Sequence, residues 1–392
     1  MPRRLLILTV VMLLAARPTS AREDDPKYRN RPLSEWLEML RDNQSADRRR
    51  AALLAVELIG PAKSPRVVPA IITTLRDDSD ERLREAAATA LGRIADKIAA
   101  RPLAEKVPFV AGRDALLAAF RTDKSPRVRT AAATALAKIE KTEAVAAVPD
   151  LAAAVNSSET PATVRTAAVE TLSRLGSEAE EAVPAFRRAL EDHSADLTTR
   201  IGAARALGNV GDAGLAALPS LSAVLKETQT ADELTKVVAE TLGRIGPDAA
   251  AAAPRLGEIL TAKSSPPELR RAAAGAIDGF GAAGRPALPA LRKALLDDDR
   301  FVRSLALHAI AQQGTAFGDE AGPTIKAVLA CLGDRVVEVR VAAAETVAGI
   351  GAEPLGANLA IARERLREAT RDSQRAVRDA AEQALKKLSS AP

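Results

Sequence analysis

An all-α solenoid of about ten stacked helix pairs is the fold class that this sequence predicts, and three regularities predict it. An Arg inside the pattern Val/Leu-Arg-x-x-Ala-Ala-x-x-Leu-Gly-x-Ile recurs at Arg49, Arg84, Arg129, Arg165, Arg200, Arg270, Arg303, Arg340 and Arg378. Pro149, Pro184, Pro219, Pro254 and Pro289 stand 35 residues apart, and Gly176, Gly211, Gly246 and Gly281 keep the same spacing. Alanine is abundant while aromatic residues make up 2% of the chain, a composition suited to helices that approach closely. A fixed period of this length marks a stack of supersecondary units, each burying its apolar face on its neighbours. The gap from Arg84 to Arg129 is long enough to hold an insertion, placed between Ala95 and Asp114. The gap from Arg200 to Arg270 holds one more unit, with Thr235 in the Arg slot.

Residues 1–21 carry the layout of an export signal. Arg3 and Arg4 precede the apolar run Leu5 to Ala16, and Thr19-Ser20-Ala21 offers small residues for cleavage. The run is too short to span a bilayer, so the expected mature chain has no membrane span and lies in a bacterial periplasm or outside the cell. Its removal leaves 53 basic and 51 acidic residues, a net charge of +2. Near neutrality gives no footprint for nucleic acid. Residues 22–45 read as a linker and an N-terminal capping helix. In that helix Trp36, Leu37 and Leu40 share a face, and Trp36 closes the open end of the stack. The repeats are expected over 46–388, with a disordered tail at 389–392. No strand pattern is visible.

Each unit reads as two helices. The Arg-bearing one opens at a capping residue before Pro, as in Ser125-Pro126, Thr160-Pro161 and Ser265-Pro266. It continues with apolar positions three and four apart and ends at Gly176, Gly211, Gly246, Gly281, Gly314 or Gly351 in a left-handed turn. The other helix opens at the periodic Pro. Leu136, Ile139, Leu172, Leu175, Leu207, Leu242 and Ile245 are the expected core.

The motifs Val128-Arg129-Thr130-Ala131-Ala132-Ala133-Thr134-Ala135-Leu136 and Ala216-Ala217-Leu218-Pro219-Ser220-Leu221 resemble the HEAT repeats, in the short bacterial type first named from phycobilisome lyases. The resemblance covers roughly residues 33–388. It implies a right-handed superhelix with the Arg-bearing helices on the concave side. The opening Tyr28…Pro32-Leu33-Ser34-x-Trp36-Leu37 is similar to the start of exported bacterial HEAT proteins. A ladder of Asp–Arg pairs between units is also implied. Asp42, Asp77, Asp123, Asp192, Asp297, Asp334 and Asp372 precede an Arg by six to eight residues, close enough to reach a guanidinium of their own or a neighbouring unit. Arg165 and Arg270 lack such an Asp and would need a neighbour's.

Catalytic readings fare poorly. Deoxyhypusine hydroxylases of this resemblance need several His-Glu pairs, but His193 is followed by Ser194 and His308 by Ala309. Two His and the single Cys331 do not make a zinc set. A lyase needs a nucleophile or chromophore pocket that no motif supplies. The Gly279-x-Gly281-x-x-Gly284 run ends a repeat helix and follows no strand, so it is no dinucleotide fingerprint. A base-excision reading lacks aromatic groups and basicity. The expected protein is a monomeric, non-catalytic scaffold with no cofactor and no metal, binding an unknown protein or peptide along its groove. The candidate contacts lie five and nine residues after the repeat Arg: Arg93, Lys138, Arg174 and Arg244 as a broken basic stripe, with His308 and Gln312 beside them. Within the stripe, Glu170 and Glu240 stand four residues before Arg174 and Arg244, a self-pairing order. Gln313 occupies an apolar slot, which a slight rotation of its helix would expose.

Overall fold

A computed structural model describes residues 25–42, 45–101, 109–227, 230–314 and 317–389. The expected signal at 1–21 and residues 390–392 of the expected tail lie outside them. The fold is an all-α solenoid, divided at Ala90/Leu91 into two compact units.

The first unit begins with strands β1 (Lys27–Tyr28) and β2 (Arg31–Pro32), followed by helices α1 (Leu33–Leu40), α2 (Ala46–Ile59), α3 (Val67–Asp77) and the start of α4 (Glu81–Ala99). The antiparallel hairpin replaces the linker expected here. Arg29 and Asn30 at its tip take φ of 49° and 63°, the left-handed pair of a tight hairpin turn. Strands of two residues are too short to show alternation, which is why the sequence hid them. The hairpin is tied down: Asp25 pairs with Arg66 at 2.7 Å and accepts the Ser34 amide at 3.2 Å. Trp36 is 9% exposed and donates its indole N–H to the Tyr28 carbonyl, with Arg31 stacked 4.8 Å from its ring centre. The Trp is therefore covered by the hairpin rather than left as a bare end seal.

The second unit continues through α5 (Val110–Thr122), α6 (Pro126–Leu136), the single turn α7 (Lys141–Ala144), α8 (Val148–Val155), α9 (Ala162–Leu175), α10 (Val183–Glu191), α11 (Leu197–Leu207), α12 (Leu218–Lys226), α13 (Asp232–Ile245) and α14 (Ala253–Thr261). It ends with α15 (Pro267–Gly279), α16 (Leu288–Ala294), α17 (Arg300–Gln312), α18 (Ala321–Ala330), α19 (Val337–Ile350), the turn α20 (Ala352–Leu355), α21 (Leu359–Ala369) and α22 (Arg375–Ser389). First helices of the pairs are α5, α8, α10, α12, α14, α16, α18 and α21. Second helices are α6, α9, α11, α13, α15, α17, α19 and α22; all carry the repeat Arg except α13, which has Thr235 in that slot. The insertion expected between 95 and 114 begins as an extension of α4 to Ala99, and its remainder at 102–108 lies outside the described residues.

The periodic Pro opens a first helix, as at Pro149, Pro184 and Pro219, where a missing amide costs nothing. A 3₁₀ segment joins it to the second helix before, for example Gly176–Ala182 ahead of α10. Gly176 and Gly246 stop their helices with φ of 65° and 86°, as expected for a positive-φ stop. Their ψ values of −129° and −144° lie outside the left-handed helical region, in territory that a β-carbon forbids. The capping residues before Pro act differently from expectation. Ser125 caps α6 without a side-chain bond, and Pro161 and Pro266 are themselves the residues that precede α9 and α15.

The second helices pack on one another through small side chains. A β-carbon on Gly92 would lie 2.8 Å from the Ala135 β-carbon, and one on Gly279 would lie 2.3 Å from the Gly243 carbonyl oxygen. Buried Thr hydroxyls stitch the same seam: Thr171 donates to the Ala133 carbonyl at 2.8 Å, Thr241 to Ala204 at 2.9 Å and Thr346 to Leu307 at 3.1 Å. These positions all lie six residues after the repeat slot, where the other units carry Ala. Six of the seven expected core residues are buried. Ile245, the last residue of α13, is half-buried.

Candidate functional site: the Arg row and the exposed ridge of the second helices

The turn between paired helices fixes the repeat Arg. In the closed form of the rung, Nη1 takes a carbonyl of its own turn, while Nε and Nη2 grip the Asp of the next turn. Arg303 shows it: Nη1 donates to Asp297 O at 2.8 Å, and Nε and Nη2 reach Asp334 at 2.8 and 2.9 Å. Arg49 with Asp78, Arg270 with Asp297 and Arg340 with Asp372 repeat the fork. Each Asp also folds its own turn by accepting the amide two residues on, as Asp334 does from Val336 at 2.8 Å. One carboxylate thus shapes a turn and joins two repeats. The guanidinium beside it offsets the burial that acts on Asp334, so its carboxyl stays below the usual range. The pairing runs to the neighbouring unit, and the first unit uses Asp78. Asp77 turns outward to Arg76 instead.

The rungs are not all closed. Arg129 gives Nε to the Phe120 carbonyl at 2.9 Å and lies over the Phe120 ring, so the expected Asp123–Arg129 pair does not form. Arg165 reaches Asp196 with Nη2 alone. Arg200 gives Nε to Leu190 O at 3.0 Å, and Glu227 stands 3.8 Å from its Nη2. Thr235 has no cation to offer.

The exposed ridge holds the predicted contact residues. Arg93, Arg174, Arg244, His308 and Gln312 are exposed and Lys138 is half-buried. Neither the Lys138 nor the Arg174 side chain makes a hydrogen bond or ion pair among the described residues, and the expected Glu170–Arg174 pairing is absent. The reach from Glu170 to Arg174 is open to solvent, where an intrahelical pair gains only a few tenths of a kcal/mol. Arg244 passes over Glu240 to the preceding repeat, meeting Asn209 Oδ1 at 2.6 Å. Asn209 in turn donates to Ser173 Oγ at 2.9 Å. Burial among these neighbours, with Arg205 close by, pushes the Arg244 guanidinium below its usual value. Arg244 is therefore part of the stitching between repeats as well as of the ridge.

Further along, His308 Nδ1 meets Asp278 Oδ1 at 2.7 Å. Gln313 is 2% exposed, and neither end of its amide has a partner. The rotation expected to expose it has not occurred. It lies against Gly284, where a β-carbon would come within 3.1 Å of Nε2. Cys331 is buried, and burial lifts its thiol to about 11, far from a reactive thiolate. Among the described residues no cluster of His, Cys, Asp and Glu could hold a metal, and no helix is long and apolar enough to cross a membrane.

One candidate feature escaped the sequence reading, the cleft around Arg200. Its signal was present: Glu227 stands 35 residues after Asp192 and 70 before Asp297, at a slot of the Asp ladder.

Comparison with known proteins agrees with this fold. Among solved structures, an engineered protein is similar with TM-score 0.57 and 22% identity, over 92% of this chain and 99% of that one. Importin beta is similar with TM-score 0.62 and 17% identity, over 91% of this chain and 51% of importin beta. The karyopherin Kap121p, solved with the extreme C-terminus of the protein phosphatase Cdc14p, gives 0.52 and 15%, over 91% and 41%. The chain thus spans about half the length of importin beta, and these likenesses concern the fold. No curated protein sequence matches. The family model for HEAT repeats matches residues 33–107, 113–199 and 158–243, more than half of the chain, and the protein belongs to the HEAT repeat family.

Proposed function

We propose that the chain is an exported, non-catalytic scaffold that binds a protein or peptide through the ridge of its second helices, centred on Lys138 and Arg174. The observation that carries this reading is the state of those two cations. Every closed rung uses its guanidinium to hold the stack, whereas these two side chains stand on the ridge with no internal partner. Cations unspent on the fold are available to an acidic or polar polypeptide surface. Karyopherin Kap121p, of like fold, is solved with the protein segments named for it, including Nup53p. Export rests on Arg3, Arg4 and the apolar run Leu5 to Ala16, with a mature N-terminus at Arg22 and a monomeric mature protein.

Two experiments test the reading. N-terminal sequencing of protein recovered outside the cytoplasm should begin at Arg22; Met1 on most molecules there refutes export. Tagged mature protein should recover a partner from the native envelope fraction, and the double change Lys138→Glu and Arg174→Glu should reduce that recovery at least tenfold. Equal recovery by wild type and double variant refutes the ridge.

A further inference from the structure

The ladder of closed rungs shows what a guanidinium on this scaffold binds: two carboxylate oxygens, in a fork, from an Asp one repeat away. At Arg200 no carboxylate oxygen is hydrogen-bonded in the fork: Glu227 stands off at 3.8 Å. Its residue is 9% exposed, and its Nη2 is buried without a hydrogen bond. Nε is turned onto Leu190 O near the end of α10 instead of onto a carboxylate.

The cause is legible in the next turn. Glu227 ends α12 with φ −65° and ψ 130°, nearly the backbone of Asp78 at −67° and 135°, which closes the rung with Arg49. The slot is the same, but the side chain is one methylene longer. The Glu227 carboxylate overshoots: it accepts the Thr230 hydroxyl at 2.8 Å and lies 3.6 Å from His193 Nε2. That leaves it 3.8 Å from Arg200, beyond a hydrogen bond. Beside the unfilled fork is a cleft of about 710 Å³, lined by Arg200, Lys226, His193, Glu227 and Thr230. Lys226 is exposed at its rim and has no ion pair among the described residues.

We infer that this cleft is a carboxylate-binding site: an acidic side chain of a bound peptide enters between Arg200 and Lys226 and completes the rung that Glu227 leaves open. A largely buried guanidinium whose Nη2 lacks a hydrogen bond favours a carboxylate acceptor more strongly than an exposed Lys does. The inference deepens the scaffold reading by giving the partner an acidic residue. It rests on that reading only for the partner being a polypeptide.

The test uses the mature full chain and a fluorescein-labelled poly-glutamate peptide, with a poly-glutamine peptide of equal length as control. Fluorescence anisotropy should show poly-glutamate binding at least tenfold tighter than poly-glutamine. Glu227→Asp, which places a carboxylate at the length that closes the other rungs, should weaken poly-glutamate binding at least tenfold while raising the melting temperature. Lys226→Ala, an exposed change that leaves the fold intact by circular dichroism, should weaken it three- to tenfold. Equal binding of the two peptides overturns the inference, as does full binding by Glu227→Asp. Competition by inorganic phosphate at concentrations where acetate has no effect also overturns it, since the site would then read phosphate. Neutralising the ridge with Lys138→Gln and Arg174→Gln should weaken poly-glutamate binding less than Glu227→Asp does; a larger loss overturns the inference, since the ridge would then hold the peptide.

Discussion

The rungs at Arg270, Arg303 and Arg340 and those at Arg129 and Arg200 occupy equivalent places in the same unit, yet only the first set grips a carboxylate. The helices around both sets are equally well packed: Leu172 and Leu207 are as buried as Leu307 and Val347. The stack is therefore held first by apolar burial and by the close seam of Gly, Ala and Thr between second helices. The ion pairs add to that and can be omitted locally without loss of the helix pair. Where they are omitted, the guanidinium groups turn to helix carbonyls and hold no carboxylate in a fork. The same stretch carries the uncommitted cations Lys138 and Arg174, so the middle of the second unit is where the surface has chemistry left for a partner.

That contrast can be broken by substitution. Arg303→Ala leaves the half-buried Asp334 carboxylate without its guanidinium and should cost about 2–3 kcal/mol. Arg200→Ala loses one hydrogen bond to a carbonyl and should cost roughly 1–2 kcal/mol. Chemical denaturation of the two variants gives the comparison, and equal losses would mean that open and closed rungs carry the same load. Leu172→Ala should cost about 2–5 kcal/mol despite the weak rungs around it. A loss below ~0.5 kcal/mol would show that the middle of the unit is loosely packed, and would remove the claim that the two regions share one core. Gly279→Ala drives a methyl into the Gly243 carbonyl and should cost about 1–3 kcal/mol, measured as a fall in melting temperature. An unchanged melting temperature would place the seam elsewhere.

Acid sharpens the contrast further. Asp299 accepts the Phe301 and Val302 amides and pairs with Arg271, and these donors hold its carboxyl at about 2. A folded value below the ordinary one means that the charged form is favoured by folding. Its contribution is complete above pH about 4 and lost as pH falls toward 2, amounting to roughly 1–2 kcal/mol. Asp299→Asn should flatten that part of the stability profile. The same slope in wild type and variant would assign the acid sensitivity to other carboxylates.

Much of the fold was open to reading because its period is long and strict. Pro at 35-residue spacing located the first helices, and Gly located the ends of the second, since each is a local backbone requirement. What the sequence could not express was three-dimensional. The hairpin at Lys27 to Pro32 has no length for a pattern. The direction of the Asp–Arg pairing depends on which turn lies nearer, so Asp123 was offered to Arg129 although Arg129 turns to Phe120. Gln313 was recognised as out of place, but its burial depended on packing against Gly284. The Arg200 cleft needed one methylene of difference between Asp and Glu, a distinction that a shared negative charge conceals.

The most direct measurement is a pair of double-mutant cycles, one on Arg303 with Asp334 and one on Arg200 with Glu227, each replaced by Ala singly and together. The difference between closed and open rungs predicts a coupling of about 1.5 kcal/mol or more for the first pair and below ~0.5 kcal/mol for the second. A coupling at Arg200–Glu227 equal to that at Arg303–Asp334 would contradict it, since the middle of the stack would then hold its guanidinium as firmly as the end and leave nothing for a partner.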